Sequence, residues 1–142
     1  MIHLADSILN LAYFSGYTNP PTIEIKNKKT AKLKSLYEVI EYSNAISNIT
    51  NEYIDHIHIK SKNSTGNTLI LVLNHYYQYR SHKFYKHLLD DGLDILLYNP
   101  TQISTNAMAT DLKTIIDILL DAKMHIVLYG YCMGCLYCSA CW

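Results

Sequence analysis

The sequence predicts an α/β fold in which a parallel sheet with flanking helices is preceded by a mostly helical N-terminal segment. Two observations in the second half of the chain lead to this prediction. Continuous apolar runs alternate with amphipathic stretches, which is typical of strands buried on both faces and joined by helices. A cysteine framed by glycines follows the last apolar run. The chain has 142 residues, so we expect one domain or part of one.

Residues 1–67 are predicted to form a helical N-terminal region. Apolar side chains recur at helical spacing over residues 4–11, which predicts a short amphipathic helix. They recur again over residues 33–40, which predicts a second helix running to about Ser47. Residues 53–59 alternate between apolar and polar side chains and therefore predict a strand.

Residues 68–142 form the second predicted region, which begins after a polar turn cluster at 61–67. A cluster of this kind joins two strands or marks a boundary, and we place the boundary there. Gly92 is expected to end the first helix of the region. The expected elements are a strand at 69–73, a helix at 82–90, a strand at 94–98, a helix capped by Thr110 or Asp111, and a strand at 126–129.

The run Gly130-Tyr131-Cys132-Met133-Gly134 directly follows the last of these strands. In a G-x-S-x-G nucleophile elbow, a strand turns sharply into a helix, and the glycines leave the central side chain exposed above the sheet. Cysteine occupies the central position here, so Cys132 is the candidate nucleophile. We expect the elbow at the carboxyl edge of the parallel strands, where sheets of this type bind ligands.

Three stretches of the second region match the pattern of one enzyme family. They are the cysteine box at 130–134, a strand followed by Asn-x-x-Tyr at 74–77, and a helix ending in Leu-Leu-x-x-Gly at 88–92. In these features the chain resembles the polyhydroxyalkanoate synthases (polyhydroxybutyrate polymerases) of the α/β-hydrolase superfamily. Cys135 departs from the family, which has a second glycine after the box. The resemblance implies a truncated α/β-hydrolase core over residues 68–142.

The resemblance implies an acyltransferase mechanism. The thiolate of Cys132 would attack the thioester of a hydroxyacyl-coenzyme A, hold the acyl group and pass it to a growing polyester. The backbone N–H of Met133 and one near Asn74 or His75 would bind the oxyanion. No cofactor is implied. The expected partners are the hydroxyacyl-coenzyme A substrate and a polyester granule, and association into a homo-oligomer is left open.

The general base of the resembled family and its aspartate partner lie far downstream of the cysteine box. This chain ends eight residues after Gly134, so we expect an N-terminal portion that is inactive on its own. His75 is an upstream histidine that could approach Cys132, although its loop is assigned to the oxyanion. All four cysteines and the single tryptophan lie in residues 132–142, a composition that an out-of-frame ending could also produce.

A second enzyme class uses the same kind of nucleophile. Esterases similar to dienelactone hydrolases also carry a cysteine at the elbow and differ in the loop that binds the substrate. They would likewise need an Asp and a His downstream of the elbow. A Cys-elbow esterase fragment is therefore the alternative to the synthase interpretation.

Metal binding is a further alternative. The tail repeats C-x-x-C, as iron–sulfur and zinc proteins do. In a helical tail, however, successive cysteines would step by about 300° around the axis and could not face one metal. His56 and His58 share one face of the strand at 53–59, but no third ligand is evident, and exposed strand histidines are the simpler interpretation. The repeat consists of Cys132, Cys135, Cys138 and Cys141.

The charge pattern argues against nucleic acid as a partner. Twelve basic and twelve acidic side chains cancel, and the lysine-rich stretch at 26–34 is typical of a solvated loop and helix start. No apolar run approaches the roughly 20 residues that a membrane span needs. The N-terminus lacks the basic segment of a secretory signal, and the cysteines are confined to the tail, so we expect a cytoplasmic location.

Overall fold

The computed structural model describes residues 23–72, 82–102 and 104–130. No helix within these ranges is long and apolar enough to cross a membrane. In chain order the described elements are α1 (Ile23–Leu36), β1 (Glu38–Tyr42), β2 (His56–Lys60), β3 (Asn67–Val72), a 3₁₀ turn (His82–Phe84), α2 (Lys86–Asp90), β4 (Asp94–Tyr98), α3 (Thr105–Asp121) and β5 (His125–Gly130).

The five described strands form one mixed sheet in the order β1-β2-β4-β3-β5. β3 pairs in parallel with β4 on one side and with β5 on the other. β2 pairs antiparallel with β4, and β1 pairs antiparallel with β2. The three parallel strands therefore end at the same edge of the sheet. Helices lie between them along the chain, as the sequence predicts.

Helices cover the two faces of the sheet unequally. Because successive strand residues point to opposite faces, Leu96 and Tyr98 of β4 pack in the cluster that contains α3, whereas Ile95 and Leu97 pack with α1 and α2. The larger cluster consists of Ala45, Ile54, Ile70, Leu96, Tyr98, Met108, Leu112, Ile115, Ile116 and Leu119. The smaller one consists of Leu33, Ile57, Ile59, Tyr85, Leu89, Ile95 and Leu97.

The predicted helix from Leu33 to about Ser47 is wrong. α1 begins earlier, at Ile23, and ends at Leu36, and residues 38–42 form β1 instead. The residues after α1 include Val39, Ile40 and Tyr42, whose side chains favour a pleated, half-buried surface. Pairing along the full length of β2 satisfies their backbone groups, and this tertiary gain outweighs the local helical periodicity.

The predicted caps of α3 are also wrong. Ser104 caps the helix, and its hydroxyl accepts a hydrogen bond from the backbone N–H of Ala107 at 3.1 Å. Thr110 and Asp111 lie inside the helix. The earlier start buries Ala107 and Met108 against the sheet, which extends the apolar side of the helix by one turn.

The polar cluster at 61–67 joins β2 to β3, which belong to the same sheet. Gly92 follows the end of α2 as predicted and contacts this turn, since the backbone N–H of Thr65 donates to its carbonyl at 2.9 Å. A Cβ atom at Gly92 would lie 2.6 Å from the carbonyl oxygen of Asn63, and its φ is +90°, so glycine is required. The division of the chain into residues 1–67 and 68–142 stays a prediction. The first 22 residues of the first region and the last 12 of the second lie outside the described residues.

The other predicted elements within the described residues are present, with small shifts at their ends. The strand at 94–98 has the predicted bounds, and the strands at 69–73 and 126–129 are found as β3 and β5. The helix predicted at 82–90 is divided into the 3₁₀ turn and α2. The strand predicted at 53–59 begins at His56, after an isolated bridge at Tyr53. The helix predicted at 4–11 lies outside the described residues.

Candidate active site

The carboxyl ends of β3 and β5 lie side by side. The two strands pair in register along their whole lengths, and the last pair joins Val72 to Gly130. Neighbouring strands in a sheet are about 4.8 Å apart. The chain therefore leaves β3 and β5 from adjacent positions at the same edge, and residues that follow either strand start close to one another.

Gly130, the first glycine of the predicted elbow, is the last residue of β5 and is half-buried. The other predicted site residues, Cys132, Met133, Gly134, Asn74 and His75, lie outside the described residues.

A buried carboxylate joins the loops next to this edge. The two oxygens of Asp111, on α3, accept hydrogen bonds from different segments of the chain. Oδ1 accepts from the hydroxyl of Ser47 at 2.5 Å, and Oδ2 accepts from the backbone N–H and the hydroxyl of Thr101, both at 2.8 Å. Asp111 is fully buried and Ser47 nearly so. The loop between β1 and β2 and the loop after β4 are thereby joined to α3.

The Ser47 hydroxyl extends this network into its own loop. It accepts hydrogen bonds from the backbone N–H groups of Ile49 and Thr50 at 3.2 and 3.3 Å. Sequence reasoning treated Asp111 only as a helix cap and missed this role. Asp111 lies three residues after Met108 and four before Ile115, and both are buried. This spacing places the Asp111 carboxylate on the apolar side of the helix, where it needs buried hydrogen-bond partners. The spacing could therefore have indicated the network.

The start of β2 and the end of β4 are joined by a second polar contact. The backbone N–H of Asn99 donates to the carbonyl of Asp55 at 2.8 Å, and the side-chain amide of Asn99 donates to the Asp55 carboxylate at 3.2 Å. Asn99 directly follows β4 and is buried. Together with the Asp111 network, this pair fixes the loops at the carboxyl end of β4, next to β3.

His56 and His58 are buried, so their interpretation as exposed strand histidines is wrong. The Nδ1 of His56 donates to the carbonyl of Ile54 at 2.8 Å, and its ring stacks on Tyr42 with centroids 5.2 Å apart. Burial lowers the pKa of His56, and the Ile54 carbonyl and Asp55 oppose this shift. His56 is therefore held as a neutral core residue with a bonded ring nitrogen.

His58 forms a buried pair with Asp94, the first residue of β4. The Nε2 of His58 lies 3.2 Å from Oδ2 of Asp94, whose other oxygen accepts from the backbone N–H of Ser61 at 2.9 Å. A His-Asp pair is a common base arrangement. Asp94, however, lies at the amino end of β4, and β5 ends with Gly130 at the opposite edge of the sheet. This pair therefore joins the ends of β2 and β4 and lies away from the candidate nucleophile.

The described residues contain no group of three or more His, Cys, Asp and Glu side chains that could hold a metal ion. The four cysteines of the predicted repeat, Cys132, Cys135, Cys138 and Cys141, lie outside the described part of the chain. The metal alternative therefore stays a prediction that rests on the spacing of these cysteines alone.

No protein-family model matches the sequence, and no curated protein matches it. Solved structures match it by fold. An esterase of Pyrococcus furiosus is 18% identical with a TM-score of 0.60, and the match covers 76% of this chain and 44% of the esterase. The chain has an α/β-hydrolase fold. This identification confirms the fold class that the cysteine box and the order of elements predict.

Two further solved structures agree with this fold. Dienelactone hydrolase from Anabaena variabilis is 15% identical with a TM-score of 0.51, covering 69% of this chain and 54% of that one. A cold-adapted esterase from an Arctic intertidal metagenomic library is 13% identical with a TM-score of 0.50, covering 70% of this chain and 50% of the esterase. The chain thus spans about half the length of these α/β-hydrolase structures. At such low identity they show the fold and do not support polyhydroxyalkanoate synthases specifically.

Proposed function

We propose that this chain carries the nucleophile-bearing part of a Cys-elbow ester hydrolase, similar to dienelactone hydrolases. The observation that carries the proposal is the in-register parallel pairing of Val72 with Gly130. In an α/β-hydrolase the nucleophile elbow and the oxyanion loop leave the sheet from adjacent strands. The pairing supports the proposal that these loops follow β5 and β3 here. The fold shared with esterases and a dienelactone hydrolase supports an ester as the substrate class.

In the proposed reaction, Cys132 forms a covalent intermediate. Its thiolate attacks the carbonyl carbon of an ester, and the carbonyl oxygen becomes an oxyanion bound by the backbone N–H of Met133 and by one near Asn74 or His75. Collapse of this intermediate breaks the C–O bond, and the alkoxide leaves with a proton. Water then attacks the thioester, which releases the carboxylic acid and restores the thiol.

The base that accepts the proton of Cys132 is proposed to come from outside the described residues. His56 and His58 are buried and hydrogen-bonded, and His125 lies at the amino end of β5. Without an oriented base, only a few per cent of an ordinary thiol is ionised at neutral pH. We therefore expect the isolated 142-residue chain to be acylated by an activated ester but to turn over slowly or not at all.

The buried Asp111 network supports a preorganised edge. Loops that position an oxyanion donor must be held within about 0.5 Å of the productive geometry by their neighbours. Asp111 holds Thr101, which follows β4 next to β3, and Ser47, which lies in the loop between β1 and β2. In this proposal the oxyanion loop departs from β3. In this proposal Asp111 is a positioning residue and takes no part in the chemistry.

Acylation by p-nitrophenyl acetate tests the proposal. We expect release of nitrophenolate with a single acetyl group on the peptide that contains Cys132, measured by peptide mass spectrometry. The variant C132A should lose this label. The matched variants C135A, C138A and C141A should keep it, because they remove a nearby thiol without touching the elbow. Equal labelling of all four cysteines, or labelling that persists in C132A, would contradict the proposal.

The polyhydroxyalkanoate synthase function is the second candidate, and the sequence resemblance around the Cys132 box supports it. The two functions differ in acyl donor and acceptor. With 3-hydroxybutyryl-coenzyme A, a hydrolase-type elbow should leave coenzyme A bound in its thioester, and we expect no detectable release from the isolated chain. Release of coenzyme A that disappears in C132A, together with oligomeric hydroxyacyl products, would favour the synthase instead.

A further inference from the structure

The basic side chains of this chain are concentrated in two neighbouring segments. Seven of the twelve basic residues lie in α1 and in residues 82–86, together with a single acidic residue, Glu24. The net charge of the whole chain is zero, so the remaining residues carry an excess of acidic groups. A neutral protein with charge separated in this way presents a locally positive surface.

The two segments meet at the ring of His82. The ring of Tyr37, directly after α1, meets it edge to face with centroids 6.3 Å apart. Partial burial, followed by the positive charges of Lys32, Lys83 and Lys86, lowers the pKa of His82. The basic patch is defined here as Lys32, Lys83 and Lys86, which are exposed, with His82 and Tyr37.

The ion pairs on this surface are solvent-exposed and can be exchanged. Lys86 donates to Asp90 at 2.6 Å, and both side chains are more than half exposed. Lys34, next to the patch on α1, donates to Glu41 at 2.9 Å with similar exposure. Exposed pairs of this type are weak because solvent screens the two charges, so a more highly charged anion can replace the carboxylate.

The patch lies away from the candidate active site. β1 runs antiparallel to β2, and β2 runs antiparallel to β4, so β1 is parallel to β4. Tyr37 precedes β1 and therefore lies at the amino end of the strands, whereas Gly130 ends β5 at the carboxyl edge. A ligand on the patch is thus separated from the sheet edge at which β5 ends with Gly130.

We propose that the basic patch binds a ligand that carries clustered phosphate groups. Three ammonium groups supply point-charge donors to several phosphoryl oxygens at once, and the imidazole of His82 adds a ring N–H donor beside them. A ligand with two or more adjacent phosphates matches this number of donors better than a single carboxylate does. A soluble polyphosphate and a phosphorylated lipid headgroup share this chemistry, and both are included in the test.

Nuclear magnetic resonance of the histidine rings provides a direct readout. Inorganic triphosphate bound beside His82 favours its charged form, so the pKa of His82 should rise on addition of triphosphate. The assignment follows from loss of the resonance in His82→Asn. The ring of His125, on β5, provides a chemical-shift reference in the same spectra. A His82 resonance that responds neither to triphosphate nor to vesicles carrying a phosphorylated lipid would overturn the proposal.

Matched double variants separate a built site from general charge attraction. K32Q/K83Q removes two lysines of the patch, whereas K113Q/K123Q removes two exposed lysines on and after α3 and changes the net charge equally. We expect about tenfold weaker triphosphate binding for the first pair and less than twofold for the second. Equal losses in the two variants would overturn the proposal. Circular dichroism verifies that both remain folded.

Vesicles distinguish the two sources of phosphate. Phosphatidylcholine vesicles with and without a bisphosphorylated inositol lipid are sedimented with wild-type chain and with K32Q/K83Q. Sedimentation that needs the phosphorylated lipid and is lost in this variant supports a lipid headgroup as the ligand. Binding of triphosphate without sedimentation supports a soluble phosphate ligand. Absence of both kinds of binding overturns the proposal.

Discussion

β4 and β5 are similar in sequence and very different in environment. Both are short apolar strands, and both pair in parallel with β3. All five residues of β4 are buried, whereas exposed and half-buried residues alternate along β5, with Val127 53% and Tyr129 47% exposed. The difference follows from the position of each strand in the sheet. β4 lies between β2 and β3, whereas β5 pairs with β3 alone within the described residues.

Within the described residues, β4 is covered on both faces and β5 on one. β4 is covered by α3 on one face and by α1 and α2 on the other. On β5, Ile126 and Leu128 pack against the α3 cluster, and the opposite side chains remain exposed. An exposed apolar edge strand is prone to pair with another chain. The carboxyl edge that carries Gly130 therefore combines a firmly held side, at β4, with an open side, at β5.

Truncation of a central β4 side chain should have the largest effect on stability. Ile95 is fully buried, so Ile95→Ala should lower the free energy of unfolding by about 3 kcal/mol through lost contacts and a cavity. Val127→Ala on β5 should cost less than about 1 kcal/mol, since its side chain is already half exposed. Chemical denaturation of both variants measures the difference. Equal losses would show that β5 is covered in solution.

Neutralisation of Asp111 should have the next largest effect. Asp111→Asn replaces one accepting oxygen by a donor amide, so a hydroxyl or N–H of Ser47 or Thr101 loses its acceptor at a cost of about 2 kcal/mol. Asp117, on the exposed side of the same helix, is the matched control, and Asp117→Asn should change stability by less than about 0.5 kcal/mol. Similar midpoints for the two variants in urea would contradict a structural role of the network.

Acid should destabilise the β2–β4 side of the sheet through His56. Its pKa in the folded chain lies below the ordinary value of 6.5, so the unfolded chain binds more protons at and below that pH. The free energy of unfolding should therefore fall as the pH drops below 6.5, by at most about 1.4 kcal/mol per pH unit for this group. His56→Gln should flatten this dependence, measured by denaturation at several pH values. His125→Gln, on exposed β5, controls for the loss of an imidazole. If the free energy of unfolding of His56→Gln still falls steeply with decreasing pH, another group is responsible.

A charge on the open face of β5 should have the smallest effect on stability. Val127→Lys places a solvated ammonium on an exposed position and should change the free energy of unfolding by less than about 0.5 kcal/mol. The same substitution should reduce self-association, because a lysine opposes edge-to-edge pairing of strands. Light scattering against concentration measures this. Unchanged association of the variant would mean that another surface is responsible.

The parallel strands of the sheet were the most predictable elements from sequence. The apolar runs that form β3, β4 and β5 are long enough for a strand and sharply bounded by polar residues or glycine. The observed strands therefore differ from the predicted ones only at their ends. The helix predicted to reach Ser47 failed because the same residues also suit a strand, and only pairing with β2 decides between the two. The Asp111 network joins residues 64 positions apart in the chain, and no local pattern specifies such a contact.

The sequence by itself determined the α/β class, the parallel strands and the cysteine box that follows β5, because periodicity and glycine placement are local properties of the chain. The tertiary structure decided the strand order, the burial of His56, His58 and Asp111, and the meeting of α1 with His82. These features depend on which distant segments pack together, and packing is governed by the burial and hydrogen bonding of the whole sheet. The same physical reason explains why β4 and β5, alike in sequence, differ in exposure.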